Sequence, residues 1–324
     1  MTEQPKNFGF GEDETMLKDS AAKFFADNCS PDKLHGLVAE DPNIHRSIEC
    51  IWDKQLWQQI TELGWTAACV PEEAGGLGMP LVAAVAIAEE AGKAAFPSPL
   101  ISTMIASFVL KECHSDAATK ALGDVASGVP MTLAVTNKHG SWEPGDTDVA
   151  AVGTTLNGTA YFVQDAQKCD QFIVSATTPK GVALYLVDAN AAGVSITPDG
   201  IIDLTRDQAH VEFKNVEAIE LAAPGTGEES LASALPAIQT IITADMVGAG
   251  EWLLQTTVDY STTRVQFDRP LGFFQAVKHP LVNVMLEIDR CKSLAYNAAC
   301  ALDVAESQSD RDEAAKFAHM AKAN

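Results

Sequence analysis

The run RVQFDRPLGFFQAVKH, Arg264 to His279, separates two long helical patterns. A plain connection between helices needs only a few polar residues and a glycine. This one holds a Pro-Leu-Gly turn at 270–272, aromatics at Phe267, Phe273 and Phe274, amides at Gln266 and Gln275, and cations or potential cations at Arg264, Arg269, Lys278 and His279. Such a concentration is odd for a linker between two core helices. The plainer reading is a surface loop held by ion pairs from Arg264 to Asp268 and Glu287.

Working outward, Leu231 to Gly250 is the most apolar long stretch, but it contains Pro236, Gln239, Asp245 and two threonines. A bilayer-spanning helix wants about 20 largely apolar residues, so this reads as a buried core helix and no membrane span is expected. Asp245 falls on its apolar stripe, three residues after Ile242 and seven before Trp252. A carboxylate set among apolar residues suits proton transfer, and Asp245 is the candidate catalytic base; capping or pairing is the structural alternative. Downstream, helices are expected from about Phe274 to Ala305 and again from Asp310, with no stop signal before Asn324. Upstream, Leu17, Ala21, Phe24 and Phe25 share one helical face, and Trp52, Leu56, Ile60 and Leu63 share another that ends at Gly64. Between Met131 and Val216 the apolar runs are short and β-rich, at the spacing of an antiparallel barrel or sandwich. Asn157-Gly158 is a type I′ hairpin signal within them. The expected class is α+β multidomain: an N-terminal helical domain over 1–125, a middle β-barrel or sandwich domain over 126–228, and a C-terminal helical bundle, apparently truncated, over 229–324.

Composition narrows function. Among 324 residues, 22 basic against 44 acidic side chains give a net charge of −22, so nucleic acid is not an expected partner. The seven cysteines (29, 50, 69, 113, 169, 291 and 300) form no CxxC pair and no zinc-spaced cluster with histidine, so no metal is expected and reduced thiols in the cytoplasm are. No GxGxxG or GxxxxGK[ST] phosphate loop occurs.

Five ordered motifs carry a resemblance: LWQQITELGW…VPEEAGGLG, EEAGKAAFPSP, LNGTAYFVQDAQKCDQFIVSA, DLTRDQAHVEFKNV and the Arg264–His279 run. Together they resemble the flavin-dependent acyl-CoA dehydrogenases. The resemblance implies an FAD-bound tetramer that removes an α-proton from an acyl-CoA thioester and passes the β-hydride to the flavin. Electron-transfer flavoprotein and a homologous subunit, in a homo- or heterotetramer, are the implied partners. It also implies that Arg264, Gln266, Phe267, Phe274 and Gln275 lie against the FAD of a neighbouring subunit. Asp268 stands where the family usually has glycine, and a carboxylate there would repel a phosphate and restrict the turn.

Where many relatives read T-E-P-x-x-G-S-D, this chain reads TNKHGSW, retaining Thr136 and Ser141. Where they read W-I-T-N beside the flavin ring, it has Phe162, Val163, Gln164 and Asp165, so Phe162 would cover the ring and Gln164 would replace the threonine donor. The usual glutamate base would lie beyond Asn324, and its minority position falls on Ile238. Two alternatives accompany this reading: a non-catalytic subunit that completes a homologous chain's FAD site, and an oxygen-using oxidase or monooxygenase on the same scaffold.

Overall fold

The computed structural model describes residues 6–39, 52–203 and 205–323; Cys50, His45 and Leu204 of the DLTR motif lie outside them. Helices α1 (Glu12–Asn28), α2 (Pro31–Ala39), α3 (Lys54–Glu62), α4 (Leu81–Lys93), α5 (Leu100–Lys111) and α6 (Asp116–Ala126) come first. Strands β1 (Met131–Ala134), β2 (Val149–Val152), β3 (Thr155–Gln164), β4 (Gln171–Thr178), β5 (Gly181–Asp188), β6 (Val194–Pro198), β7 (Gln208–Glu217) and β8 (Ile219–Ala222) follow. Helix α7 (Gly227–Thr263), a hairpin of β9 (Val265–Gln266) and β10 (Arg269–Pro270), α8 (Gln275–Asp303) and α9 (Gln308–Ala323) complete the chain. The described residues divide into two compact units, one drawn from Asp32–Met79 and Pro97–Ile238, the other from Met1–Pro31, Pro80–Phe96 and Gln239–Asn324.

In the first unit, local signals set the helix ends. The Asp53 carboxylate accepts from the N–H groups of Gln55 and Leu56 at 2.8 and 3.3 Å and starts α3. Gly64, at φ +78°, ends it. The strands form one sheet in the order β6-β7-β3-β2-β4-β5-β8, with β1 also on β4. The sheet is mixed, because β1 and β2 both run parallel to β4, where alternation suggested antiparallel pairing throughout. β1 pairs with Gln171–Val174 and β2 meets Thr177, so the two lie end to end on one edge of β4. The loop 135–148 leaves the sheet between them. Phe172, Tyr185 and Phe213 fill the core. Asn157-Gly158 is not a turn; it lies inside β3, and the chain reverses at Gly153-Thr154 instead. Gly158 is needed for a different reason: a Cβ there would collide with the Asp148 carbonyl.

In the second unit, α4 and α7 cross at glycines. A Cβ on Gly92 would strike the carbonyl oxygen of Asp245, and one on Gly248 would strike that of Glu89. Backbones this close exclude any side chain larger than hydrogen. Pro80 gives α4 no capping side chain, so Asp303 at the end of α8 supplies the cap, accepting from Leu81 and Val82 N–H at 2.7 and 3.1 Å. Helix α7 is long and apolar enough to cross a membrane, yet 61% of its most apolar window is buried, which makes it a core helix.

An ionic junction is buried beside that crossing. The Glu89 carboxylate, fully buried, accepts from Lys18 at 2.8 Å, Lys292 at 2.8 Å and the Tyr296 hydroxyl at 2.7 Å, with Lys93 at 3.2 Å. Glu251 bridges Lys292 and Lys93 at 2.6 and 2.9 Å. Burial alone would raise the Glu89 pKa, but Lys18 and Lys292 overcome it and hold the group at about 2.

Candidate flavin site

Arg264 follows the last turn of α7, its N–H donating to the Tyr260 carbonyl at 2.9 Å. β9 and β10 pair antiparallel, Gln266 opposite Arg269 and Val265 opposite Pro270, and Leu271 N–H closes the loop on the Arg264 carbonyl at 2.9 Å. The two residues between the strands, Phe267 and Asp268, both take left-handed backbone, φ +54° and +58°. That is the geometry of a tight hairpin turn, usually filled by asparagine or glycine. Aspartate tolerates the left-handed region, so Asp268 does not prevent the turn. Phe267 sits there at a steric cost and is 87% exposed.

The aromatics stack into a small cluster. Phe274 meets Phe267 and Phe273 edge to face at centroid distances of 6.2 and 5.6 Å. The Arg269 guanidinium lies 5.2 Å from the Phe273 ring centre. Helix α8 begins at Gln275 with Phe274 as its N-cap and no side-chain cap. The first-turn N–H groups of Gln275 and Ala276 therefore keep no intrahelical acceptor, an anion-attracting arrangement. Arg264, Gln266, Gln275, Lys278 and His279 are exposed, and among the described residues their side chains make no hydrogen bond or ion pair. Arg264 pairs with neither Asp268 nor Glu287; the latter is bound by Arg290.

The residues from the middle of the chain gather at one end of the sheet. Thr136 is buried just beyond β1, and its carbonyl accepts the Tyr161 N–H at 3.0 Å. Asn137 turns the following loop by accepting the N–H groups of His139 and Ser141 at 2.9 and 3.1 Å. The Ser141 hydroxyl donates to Asp146 at 2.7 Å and accepts the Glu143 N–H at 3.2 Å. The loop packs on Phe162, whose ring a Cβ at Gly140 would touch at 3.7 Å. Phe162 has φ +54° and remains 41% exposed. The Gln164 side-chain amide donates to Gln208 at 3.0 Å, and the Gln164 backbone carbonyl accepts the Thr132 hydroxyl at 2.7 Å.

Asp245 is half-buried at the α4–α7 crossing. Eighteen residues of helix separate it from Thr263, roughly 27 Å at the usual rise. It is therefore remote from the hairpin along α7. Sequence reasoning missed the open N-terminus of α8, whose only trace was an aromatic at the position where a capping side chain usually stands.

Two family models match: the acyl-CoA dehydrogenase N-terminal domain over residues 11–129 and the acyl-CoA dehydrogenase C-terminal domain over 225–323. Acyl-CoA dehydrogenase FadE27 of Mycobacterium tuberculosis is 30% identical over 258 residues, covering 78% of this chain and 68% of the relative. The chain belongs to the acyl-CoA dehydrogenase family. Acyl-CoA dehydrogenase IpdE2 of the same organism is 27% identical over 288 residues, covering 89% and 76% of the two chains. The solved structure "Tcur3481-Tcur3483 steroid ACAD G363A variant" superposes with a TM-score of 0.80 at 26% identity, over 97% of this chain and 86% of that one. Acyl-CoA dehydrogenases are FAD-binding flavoproteins, and this chain's activity class is theirs.

The residues present fit that cofactor. The hairpin offers an open guanidinium, two open amides and an uncapped helix N-terminus, which is the donor set a pyrophosphate requires. The sheet end offers a displayed aromatic ring, which suits the face of a planar heterocycle. The carboxylate of Asp268 is the one element of the hairpin that opposes an anion.

Proposed function

We propose that this chain is one subunit of an FAD-dependent acyl-CoA dehydrogenase assembly, with its Arg264–Gln275 hairpin closing over the adenosine diphosphate half of FAD in a homologous neighbouring subunit. The observation that carries this is the open state of Arg264, Gln266 and Gln275, exposed beside the α8 N-terminus and with no side-chain partner among the described residues. Exposed charged groups ordinarily point alone into water; a guanidinium and two amides left open on one short hairpin and the helix start that follows it suit an anionic ligand.

FAD, when bound, supplies the hydride acceptor for α,β-dehydrogenation of an acyl-CoA thioester. Arg264 would fork onto the pyrophosphate, with Gln266 and Gln275 donating beside it and Phe267 and Phe274 walling the adenine side from water. In the chain's own middle region, Phe162 would cover the flavin ring and Gln164 would frame its edge, while Thr136 and Ser141 hold the 136–142 loop beneath. Asp245 is the carboxylate proposed to take the α-proton. The Tcur3481-Tcur3483 structure joins two polypeptide names and is described as a steroid ACAD, which supports a homologous partner subunit and a bulky acyl group on the thioester. Electron-transfer flavoprotein is the proposed electron acceptor.

The test is the visible spectrum of the purified chain, alone and co-expressed with a homologous acyl-CoA dehydrogenase subunit. A yellow assembly that bleaches on addition of acyl-CoA is expected. A colourless assembly in both preparations would contradict the proposal. Within a yellow assembly, Asp245→Asn should abolish bleaching and retain flavin; bleaching at the normal rate would remove Asp245 from the base role.

A further inference from the structure

Strand β3 is irregular where it presents Phe162. Its register against β7 shifts between Ala160 and Val163, leaving Tyr161 and Phe162 in a bulge. Bulges re-aim side chains and recur beside functional sites. Two non-glycine residues with left-handed backbone, Phe162 at φ +54° and Asp165 at φ +52°, bracket Val163 and Gln164. A strained backbone of this kind persists only where its surroundings over-determine it.

Those surroundings include a buried charge cluster. Asp165, 4% exposed, accepts the Ser102 hydroxyl of α5 at 2.6 Å and the Lys168 ammonium at 2.9 Å. Lys168, 3% exposed, also binds Asp207 at 2.6 Å. The backbone is tied in as well: Asp165 N–H donates to the Asp207 carbonyl at 3.0 Å and Lys168 N–H to the Asp165 carbonyl at 2.9 Å. Burial opposes the Lys168 charge, yet the two carboxylates raise its pKa above the ordinary lysine value, so the ammonium stays charged. Apolar residues of similar volume usually stabilise a core at least as well as buried ions do. Ions retained in this place therefore call for a geometric reason.

We propose that Ser102, Asp165, Lys168 and Asp207 form a positioning clamp that fixes the β3 bulge, so that Phe162 and Gln164 are held ready against the flavin ring. The four satisfy one another and would act on the flavin only through the backbone of residues 161–165. The inference rests on the flavin reading above and assigns that site a support which reaches into α5.

Hydrogen exchange of the full-length chain tests the clamp without flavin, and flavin retention of the co-expressed assembly tests its purpose. Ser102→Ala, a mild change, and Lys168→Met, a severe one, should each speed exchange across residues 161–165 by at least tenfold. Protection in β4 and β5 should be unaltered in Ser102→Ala. Flavin retained after gel filtration should fall by a similar factor, with a shifted visible band. Unchanged exchange at 161–165, acceleration spread evenly over the sheet, or local acceleration with normal flavin retention and spectrum would each overturn the proposal. A wild-type assembly without flavin would contradict the function reading and with it the purpose of the clamp, while the exchange data would still decide whether the clamp holds the bulge.

Discussion

The junction around Glu89 and the hairpin at Arg264–Gln275 belong to the same helical unit, and they use charge in opposite ways. At the junction, Lys18, Lys93 and Lys292 converge on Glu89, and Glu251 holds the last two. At the hairpin, the side chains of Arg264, Lys278 and His279 have no partner among the described residues. Charges that satisfy one another inside the chain hold helices together. Charges left open at one edge, beside an uncapped helix start, are on the proposed reading completed by a second molecule. The sheet end around Phe162 stands between the two, since Ser141 and Gln164 are already tied to Asp146 and Gln208 while the Phe162 ring is displayed.

This contrast makes measurable demands. The largest effect should come from Glu89→Ala, which leaves ammonium groups crowded without their carboxylate; breaking a buried pair costs about 3–5 kcal/mol. Thermal melting should register that loss, whereas Lys278→Ala should leave the melting temperature where it is. The pH dependence has a definite sign. Glu89 has a folded-state pKa of about 2 against 4.5 for an ordinary glutamate, so its stabilisation is present above pH 4.5. It should be lost as pH falls from about 4.5 to about 2, by roughly 3 kcal/mol. Urea midpoints across that range should fall more steeply in the wild type than in Glu89→Gln.

Ser141→Ala should show an intermediate effect. Losing the hydroxyl that joins Asp146 and the Glu143 N–H should cost about 1 kcal/mol of stability. Selective loss of flavin with unchanged melting would instead place Ser141 among the open, ligand-directed groups. The smallest change, and the one of opposite sign, is expected of Asp268→Gly. Glycine occupies the left-handed turn position without strain and removes the carboxylate from the cationic edge. Flavin retention in the assembly should rise a fewfold with folding stability raised by no more than about 1 kcal/mol; a decrease would show that Asp268 contributes to the contact.

Much of the architecture was legible in the sequence because it depends on local signals. The spacing of Ala21 and Phe25 sets the buried face of α1, and Gly64 ends α3 where its chemistry places it, although α3 starts at Lys54 behind the Asp53 cap and leaves Trp52 outside. The helical, β, helical order follows from the change of period near Met131. What was not legible depends on distant partners. Asn157-Gly158 has the strongest local turn signal in the sheet, but the reversal takes place at Gly153-Thr154 and Gly158 instead accommodates the Asp148 backbone. The parallel pairing of β1 and β2 with β4 leaves no trace in alternation, which is the same for either direction. The Glu89 junction joins residues from Lys18 to Tyr296, separations at which no spacing rule operates. At the site, the motif run located the hairpin, yet its turn could not be foreseen, because phenylalanine is among the residues least suited to φ +54°.

On the reading proposed above, FAD in a neighbouring subunit completes the open hairpin. The most direct test of that reading is the flavin-to-protein ratio of the co-expressed assembly carrying Arg264→Ala, measured beside its melting temperature. A charge-assisted contact of about 1.5–3 kcal/mol corresponds to roughly a 10- to 100-fold loss of affinity. Bound flavin should fall accordingly while the apoprotein melts as the wild type does. Full flavin content in the variant would contradict that reading.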